Sequence, residues 1–131
     1  MTVLMFHKRF VAPILAGTKT HTIRRDRKRP IPIGDALSLR HWEGQGYRSP
    51  QVEFFTCICD AVFPIAVAVD HVRIGDPSEE VNAHIIATAS GLDVFAISDG
   101  FEDWADMMAY YREQKIKLPF RSAEMIEWRK Q

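Results

Sequence analysis

The stretch Gly17-Thr18-Lys19-Thr20-His21-Thr22-Ile23-Arg24-Arg25 decides how this chain is read. It sets a lysine, three threonine hydroxyls, an imidazole and two guanidiniums within nine residues. Thr20, Thr22 and Ile23 favour a strand, because β-branched side chains pack well on a pleated surface. Alternation along that strand puts Thr20, Thr22 and Arg24 on one face and His21, Ile23 and Arg25 on the other. Lys19 falls at the corner where the strand begins. Half of the stretch is therefore expected to line a polar cleft, and half to hold a sheet.

Upstream, residues 3–6 predict a short buried strand and 8–16 a short helix. Phe10 and Ile14, with Val11 and Leu15, recur at the three- and four-residue spacing of one helical face. Pro13 suits only a first turn, so this helix starts late or is irregular. Gly17 follows the last apolar residue, where a left-handed cap is expected. Downstream, 24–30 is almost continuous charge. Pro30-Ile31-Pro32 extends the chain and Gly34-Asp35 turns it. Residues 36–42 predict a strand, and 43–46 a hairpin-like loop ending at Tyr47. The span 52–69 is strongly β-forming, with Pro64 marking a break or a bulge. Residues 71–74 continue the sheet and 75–78 form a loop. Residues 81–87 fit a strand and a helix equally well. A short helix is expected over 92–97. The clearest helix is 101–114, with Phe101, Trp104, Met108 and Tyr111 on its buried side. Residues 124–128 form a closing strand. Many short strands with two or three helices predict a single α+β or barrel domain over residues 1–131, and not a doubly wound sheet.

At 131 residues, 47% apolar and 26% charged, the chain is long enough to bury a core without disulfides or metals. No apolar run approaches the roughly 18 residues a membrane span needs, so no membrane partner is expected. Residues 1–6 have no basic leader, and no signal peptide is expected. Cys57 and Cys59 share a strand face at a spacing that suits neither a disulfide nor a zinc or redox pair. They are expected to be reduced packing residues, which fits a cytoplasmic location. The net charge of zero hides an uneven distribution: +7 over residues 1–50, −10 over 51–110 and +3 over the last 21. The basic first third is either a seat for phosphates or nucleic acid, or the partner of the acidic middle. The sequence carries no signal for oligomeric state.

Lys19 and Thr22 are the first chemical pair to weigh. A hydroxyl attacks only when a base takes its proton, and a lysine serves when burial or cationic neighbours depress its pKa. His21, Arg24 and Arg25 are such neighbours in sequence. The same residues would also suit a solvated face of a threonine-rich strand. Asp99 stands with Glu102 at the Asp-x-x-Glu spacing of a helix N-terminal cap, a position from which a carboxylate can also do chemistry. The five histidines, at 7, 21, 41, 71 and 84, lack metal-ligand spacing, and no metal site is expected. No glycine-rich phosphate loop or nucleophile elbow occurs, and no cofactor is expected. Tyr47, beside Trp42 and the glycine-rich loop, is placed either to stack on a base or to pack over the hairpin.

Several residues together resemble a known family. The order Phe10, Ile14-Leu15-Ala16-Gly17, Lys19-Thr20, Thr22-Ile23-Arg24, Gly34-Asp35 and Leu37 is similar to the ASCH domain of the PUA-like superfamily. Ala96-x-x-Asp99-Gly100-Phe101, followed by Trp104 and Met108, resembles that family's second signature. The resemblance implies a small PUA-like β-barrel with flanking helices, and a cleft lined by the Gly-x-Lys-Thr-x-Thr-Ile-Arg segment. It implies a partner that is RNA or a modified nucleoside. One branch of the family hydrolyses the amide of N4-acetylcytidine with a lysine, a threonine and a glutamate. These positions fall on Lys19, Thr22 and Asp99, the last one methylene shorter than the family's residue. Other members are linked to RNA cleavage. Three functions follow as expectations. The first is nucleoside binding through Thr20, Arg24, Arg25 and Tyr47 with amide hydrolysis by Lys19, Thr22 and Asp99. The second is a non-catalytic RNA-binding module with the 24–29 loop on phosphates. The third is a ribonuclease in which Lys19 or Arg24 stabilises the phosphorane charge.

Overall fold

A computed structural model describes residues 1–76, 78 and 83–131. It is an α+β structure: a mixed seven-stranded sheet with short helices. In chain order, β1 is Thr2–Met5, followed by a 3-10 turn at Lys8–Phe10 and α1 at Val11–Ala16. The strands β2 (His21–Arg25), β3 (Ala36–Trp42), β4 (Gln51–Val67), β5 (Val72–Ile74) and β6 (His84–Ile86) follow. The helices α2 (Ala89–Ser98) and α3 (Trp104–Glu113) precede the last strand, β7 (Phe120–Lys130).

The 17-residue strand β4 organises the sheet. Cys57 and Ile58 pair with both β3 and β7, and Ile65 and Val67 pair with both β5 and β7. So β7 lies along one edge of β4, while β3 and β5 follow one another along the other. β4 runs straight through Pro64, and its ladder with β7 slips between Cys59 and Ala61 and between Ile65 and Val67. These slips are the bulge-type irregularities that a strand proline tends to accompany. β1 pairs in parallel with β3, and β2 pairs antiparallel with β7.

One path runs β1-β3-β4-β5-β6 and another branches at β4 to run β1-β3-β4-β7-β2, and the sheet is open, because no ladder joins β1 to β2 among the described residues. One side chain spans the opening. The Arg24 guanidinium on β2 donates to the carbonyl of Met5 at the end of β1, at 2.6 Å. Its carbon also lies 4.7 Å from the centroid of the Phe6 ring.

The core lies between the sheet and the helices. Leu4, Leu37, Leu39, Cys57, Cys59, Val67 and Ile126 are fully enclosed, and Met107 closes them from α3. Each large aliphatic side chain among them contributes about 1.5–3 kcal/mol by leaving water. Both cysteines are free thiols. Burial raises Cys57 to about 12, which keeps it an inert packing residue.

Several bounds differ from the sequence reading for local reasons. The segment 8–16 splits into a 3-10 turn and a helix, with Pro13 inside the first turn of the helix. α3 starts at Trp104 and not at Phe101, because Asp103 is its N-cap and accepts from the Asp106 amide at 2.8 Å. α2 extends back to Ala89, with the Thr88 hydroxyl capping it through the Gly91 amide. Within 81–87, residues 81 and 82 lie outside the described residues and 84–86 form β6. Pro77 of the expected 75–78 loop also lies outside them.

Glu124 on β7 is buried, and its Oε1 has no hydrogen-bond partner among the described residues. Burial raises its pKa, and Asp26 adds to the effect. A carboxyl whose folded pKa lies above its unfolded value gives its full stability below the unfolded pKa, about 4.3. That contribution is lost as pH rises through the folded pKa. Glu124→Gln is therefore expected to raise Tm by about 3 °C at pH 7 and to leave it unchanged near pH 3.5. Thermal melts at the two pH values check this, and an equal gain at both would place the effect in packing and not in charge.

Candidate functional site

The site begins where α1 ends. Gly17 has φ 81° and closes α1 as a left-handed C-cap, its amide donating to Ile14. The next two amides, of Thr18 and Lys19, both donate to the carbonyl of Pro13. This tight exit sends the Lys19 side chain inward, where only 3% of the residue is exposed.

Lys19 ends at the C-terminus of α2. Its Nζ donates to the backbone carbonyl of Asp99, the C-cap of α2, and to the Asp99 carboxylate Oδ1 at 3.1 Å. The end of a helix carries partial negative charge on its unpaired carbonyls, so the ammonium caps both the helix and the side chain. The Phe10 ring adds a cation–π contact, with its centroid 4.8 Å from Nζ. Burial lowers the pKa of Lys19, Asp99 holds it up, and Arg24 and Arg9 push it down again. Asp99 does not cap α3, since Asp103 does that, so its carboxylate is committed to the cleft.

Gly100 makes this arrangement possible. Its φ is +96°, and a Cβ there would stand 2.7 Å from Lys19 Cδ and 3.0 Å from a Phe10 ring carbon. The residue after Asp99 must be glycine both for its backbone and for the passage of the lysine stem.

Thr22 and Arg24 complete the polar wall. Thr22 is buried, and its Oγ1 accepts from Arg24 Nε at 3.3 Å. Burial lowers Arg24 to about 10, so it stays charged at neutral pH. Lys19, Thr22, Arg24 and Asp99 all line one cavity of about 240 Å3, between the open edges of the sheet and the two long helices. Phe6, Phe10, Phe101 and Tyr110 supply aromatic walls. A groove of about 920 Å3 lies elsewhere, along β4, β5 and the start of β7. Its walls are mainly apolar and hold none of these four residues. Convergent polar groups with perturbed pKa values identify a site better than volume does, so the smaller cavity is the candidate.

Three residues expected at the cleft are elsewhere. Thr20 is exposed, and its backbone is tied on both sides, its amide to Ser98 and its carbonyl to the Trp128 amide. Arg25 is exposed at the end of β2, with its guanidinium 5.8 Å from the Phe120 ring centroid. Tyr47 is 92% exposed on the β3–β4 loop with φ 62°, and its ring lies 5.1 Å from that of Trp42. It packs over the hairpin. His21, expected only to hold the sheet, is instead buried with Nε2 3.4 Å from Asp99 Oδ1. Strand alternation does turn it away from Thr22, but α2 covers that second face and brings Asp99 to it. The signal in the sequence was the pairing of a basic residue in 17–25 with a carboxylate after an apolar helix.

Compared with known protein families, curated proteins and solved structures, the chain matches none. The site therefore stands on its own geometry.

Gly100→Ala is expected to cost about 2–4 kcal/mol, since strain at positive φ adds to a clash with Lys19 and Phe10. Gly17→Ala, which meets nothing within 4 Å, is expected to cost about 1 kcal/mol from φ alone. Urea unfolding of the two variants measures the difference, and equal costs would show that the Lys19 stem does not need the space.

Proposed function

We propose that this protein binds an RNA base or a modified nucleoside in the Lys19–Thr22–Arg24–Asp99 cleft and hydrolyses an amide of the N4-acetylcytidine type. The observation that carries the reading is a buried lysine, its pKa lowered by burial, sharing a small aromatic-walled cavity with a threonine hydroxyl and a carboxylate. A cavity of about 240 Å3 suits a base with a short acyl group and is too small for a helical duplex. Aromatic walls stack on any base. Arg24, bridging the opening between β1 and β2, supports reading the curled sheet as an open relative of the PUA-like barrel.

The chemistry runs through the chain's own residues. Lys19, as a neutral amine, takes the proton of Thr22 Oγ1, and the oxygen attacks the acyl carbon. Arg24, which already donates to that hydroxyl, faces the developing negative charge. The C–N bond breaks, and the leaving amine receives its proton through Asp99, which is hydrogen-bonded to Lys19 Nζ. Water then cleaves the threonine ester, releasing acetate and restoring the hydroxyl. The direct contact of Asp99 Oδ1 with Lys19 Nζ, at 3.1 Å, supports an aspartate in the part that a longer glutamate has in the resembling family.

A second reading has its own observation. Arg25, Arg27, Lys28 and Arg29 form an exposed basic loop that continues from Arg24. Such a loop suits RNA phosphates, with or without catalysis at the cleft.

Incubation with N4-acetylcytidine is expected to release acetate, and Thr22→Ala and Lys19→Ala to slow release about a thousandfold or more. Lys19→Ala leaves Asp99 unpaired and is also expected to cost about 3–5 kcal/mol, so melts must accompany the assay. Thr22→Ala carries less structural risk. Wild-type rates in either folded variant would sink the mechanism. No acetate, together with RNA binding that weakens as salt rises, would favour the second reading.

A further inference from the structure

Behind the cleft, on the other face of β2, a buried titratable group reaches Asp99 and is left unused by the reaction above. His21 is enclosed, its ring tilted against that of Phe95 with centroids 5.3 Å apart. Its Nε2 is 3.4 Å from Asp99 Oδ1, the same oxygen that accepts Lys19 Nζ at 3.1 Å. That Nε2 has no hydrogen-bond partner among the described residues. The charged groups facing the imidazole are Asp99 at the end of α2, Lys19 ahead of β2 and Glu127, its register partner on β7.

Two bases thus face one carboxylate oxygen in a buried site. With Lys19 an ammonium and Asp99 a carboxylate, the trio is neutral, and a proton on His21 would bury a second cation. Lys19 must become an amine before it can take the Thr22 proton. Losing its proton to solvent would leave Asp99 charged and unpaired, which is unfavourable in a buried site. His21 offers another place for that proton. Burial lowers the pKa of both bases, and Asp99 raises both.

We propose that His21 is a positioning residue for Lys19: it is the alternate seat of a single proton shared across Asp99. The proton leaves Lys19 Nζ, crosses Asp99 Oδ1 and rests on His21 Nε2. No bond between heavy atoms changes, and the total charge is constant. Lys19 then stands as an amine while Asp99 remains paired with the imidazolium. Its use in catalysis rests on the amidohydrolase reading, but the proton equilibrium exists without substrate.

The test uses the ligand-free protein. Trace acetylation with acetic anhydride reads the fraction of Lys19 present as amine at each pH, and 15N spectra of the imidazole read the protonation of His21. His21→Gln puts an amide nitrogen near the position of Nε2, keeping a donor to Asp99 without accepting a proton. It is expected to lower Lys19 acetylation at pH 7 about tenfold, the equivalent of one pKa unit, at unchanged secondary structure. Lys19→Met is expected to move the His21 titration to higher pH, because Asp99 then has one cation to hold. Equal Lys19 reactivity in wild type and His21→Gln overturns the proposal. If that variant does not fold, an imidazole titration in the wild type that ignores the Lys19 reactivity profile overturns it instead. Coupled titration in a protein inert toward N4-acetylcytidine supports the shared proton and defeats only the proposed reaction.

Discussion

The buried contact between Lys19 and Asp99 is the constraint around which the site is built. It fixes where α2 ends, because the ammonium occupies the terminal carbonyl of that helix as well as the carboxylate. It requires glycine at 100, because the lysine stem passes where a Cβ would stand. It also ties the start of β2 to the helical layer. Taking two charges out of water is costly, and a buried pair is often no more stabilising than apolar residues of the same volume. Here the cost is offset by a carbonyl, a carboxylate and an aromatic face. The pair therefore fixes the geometry of the helix end and the start of β2 more than it adds to stability.

The second constraint is the opening in the sheet. β1 and β2 end the path that runs through β7, and a side chain rather than a backbone ladder crosses between them among the described residues. A closed ladder at that point would have paired the backbone groups near Met5 and left no room for a cavity. Arg24 bridges the gap while its Nε stays on Thr22. The same guanidinium therefore holds the two edges together and orients a hydroxyl between them. Site and architecture meet in this residue, and polar groups concentrate there because the sheet leaves backbone unpaired.

Much of this was legible in the sequence, and the failures have physical causes. Residues 36–42 read as a strand and form β3, and the long β-forming run gives β4. Lys19, Thr22, Arg24 and Asp99, singled out for their chemistry, line one cavity. Asp99 and Glu102 have the spacing of a capping box, but local spacing does not reveal that Asp103 caps the helix and that the chain turns at Gly100. His21 was assigned to the sheet because alternation describes one strand and not the helix laid over it. Tyr47 carried an aromatic signal that any exposed hairpin tip shares. Thr20 has the right face by alternation but lies one residue ahead of the strand. For Asp99 and His21 a tertiary neighbour, invisible in the local pattern, decides the placement.

Charge distribution links these observations. The basic first third and the acidic middle do pair, through Arg9 with Asp106 and Lys19 with Asp99. Among the described residues, Arg25, Arg27, Lys28 and Arg29 take part in no ion pair. Pairing thus removes part of the charge excess where the halves touch, while Lys8, Arg40, Arg48 and the run after Arg24 stay outside any ion pair among the described residues. A neutral chain in this way keeps exposed cationic groups in its first third. Salt screens such exposed charges beyond a Debye length of about 8–10 Å, so this excess acts only on what comes close to the loop, whereas the buried Lys19–Asp99 pair is screened far less.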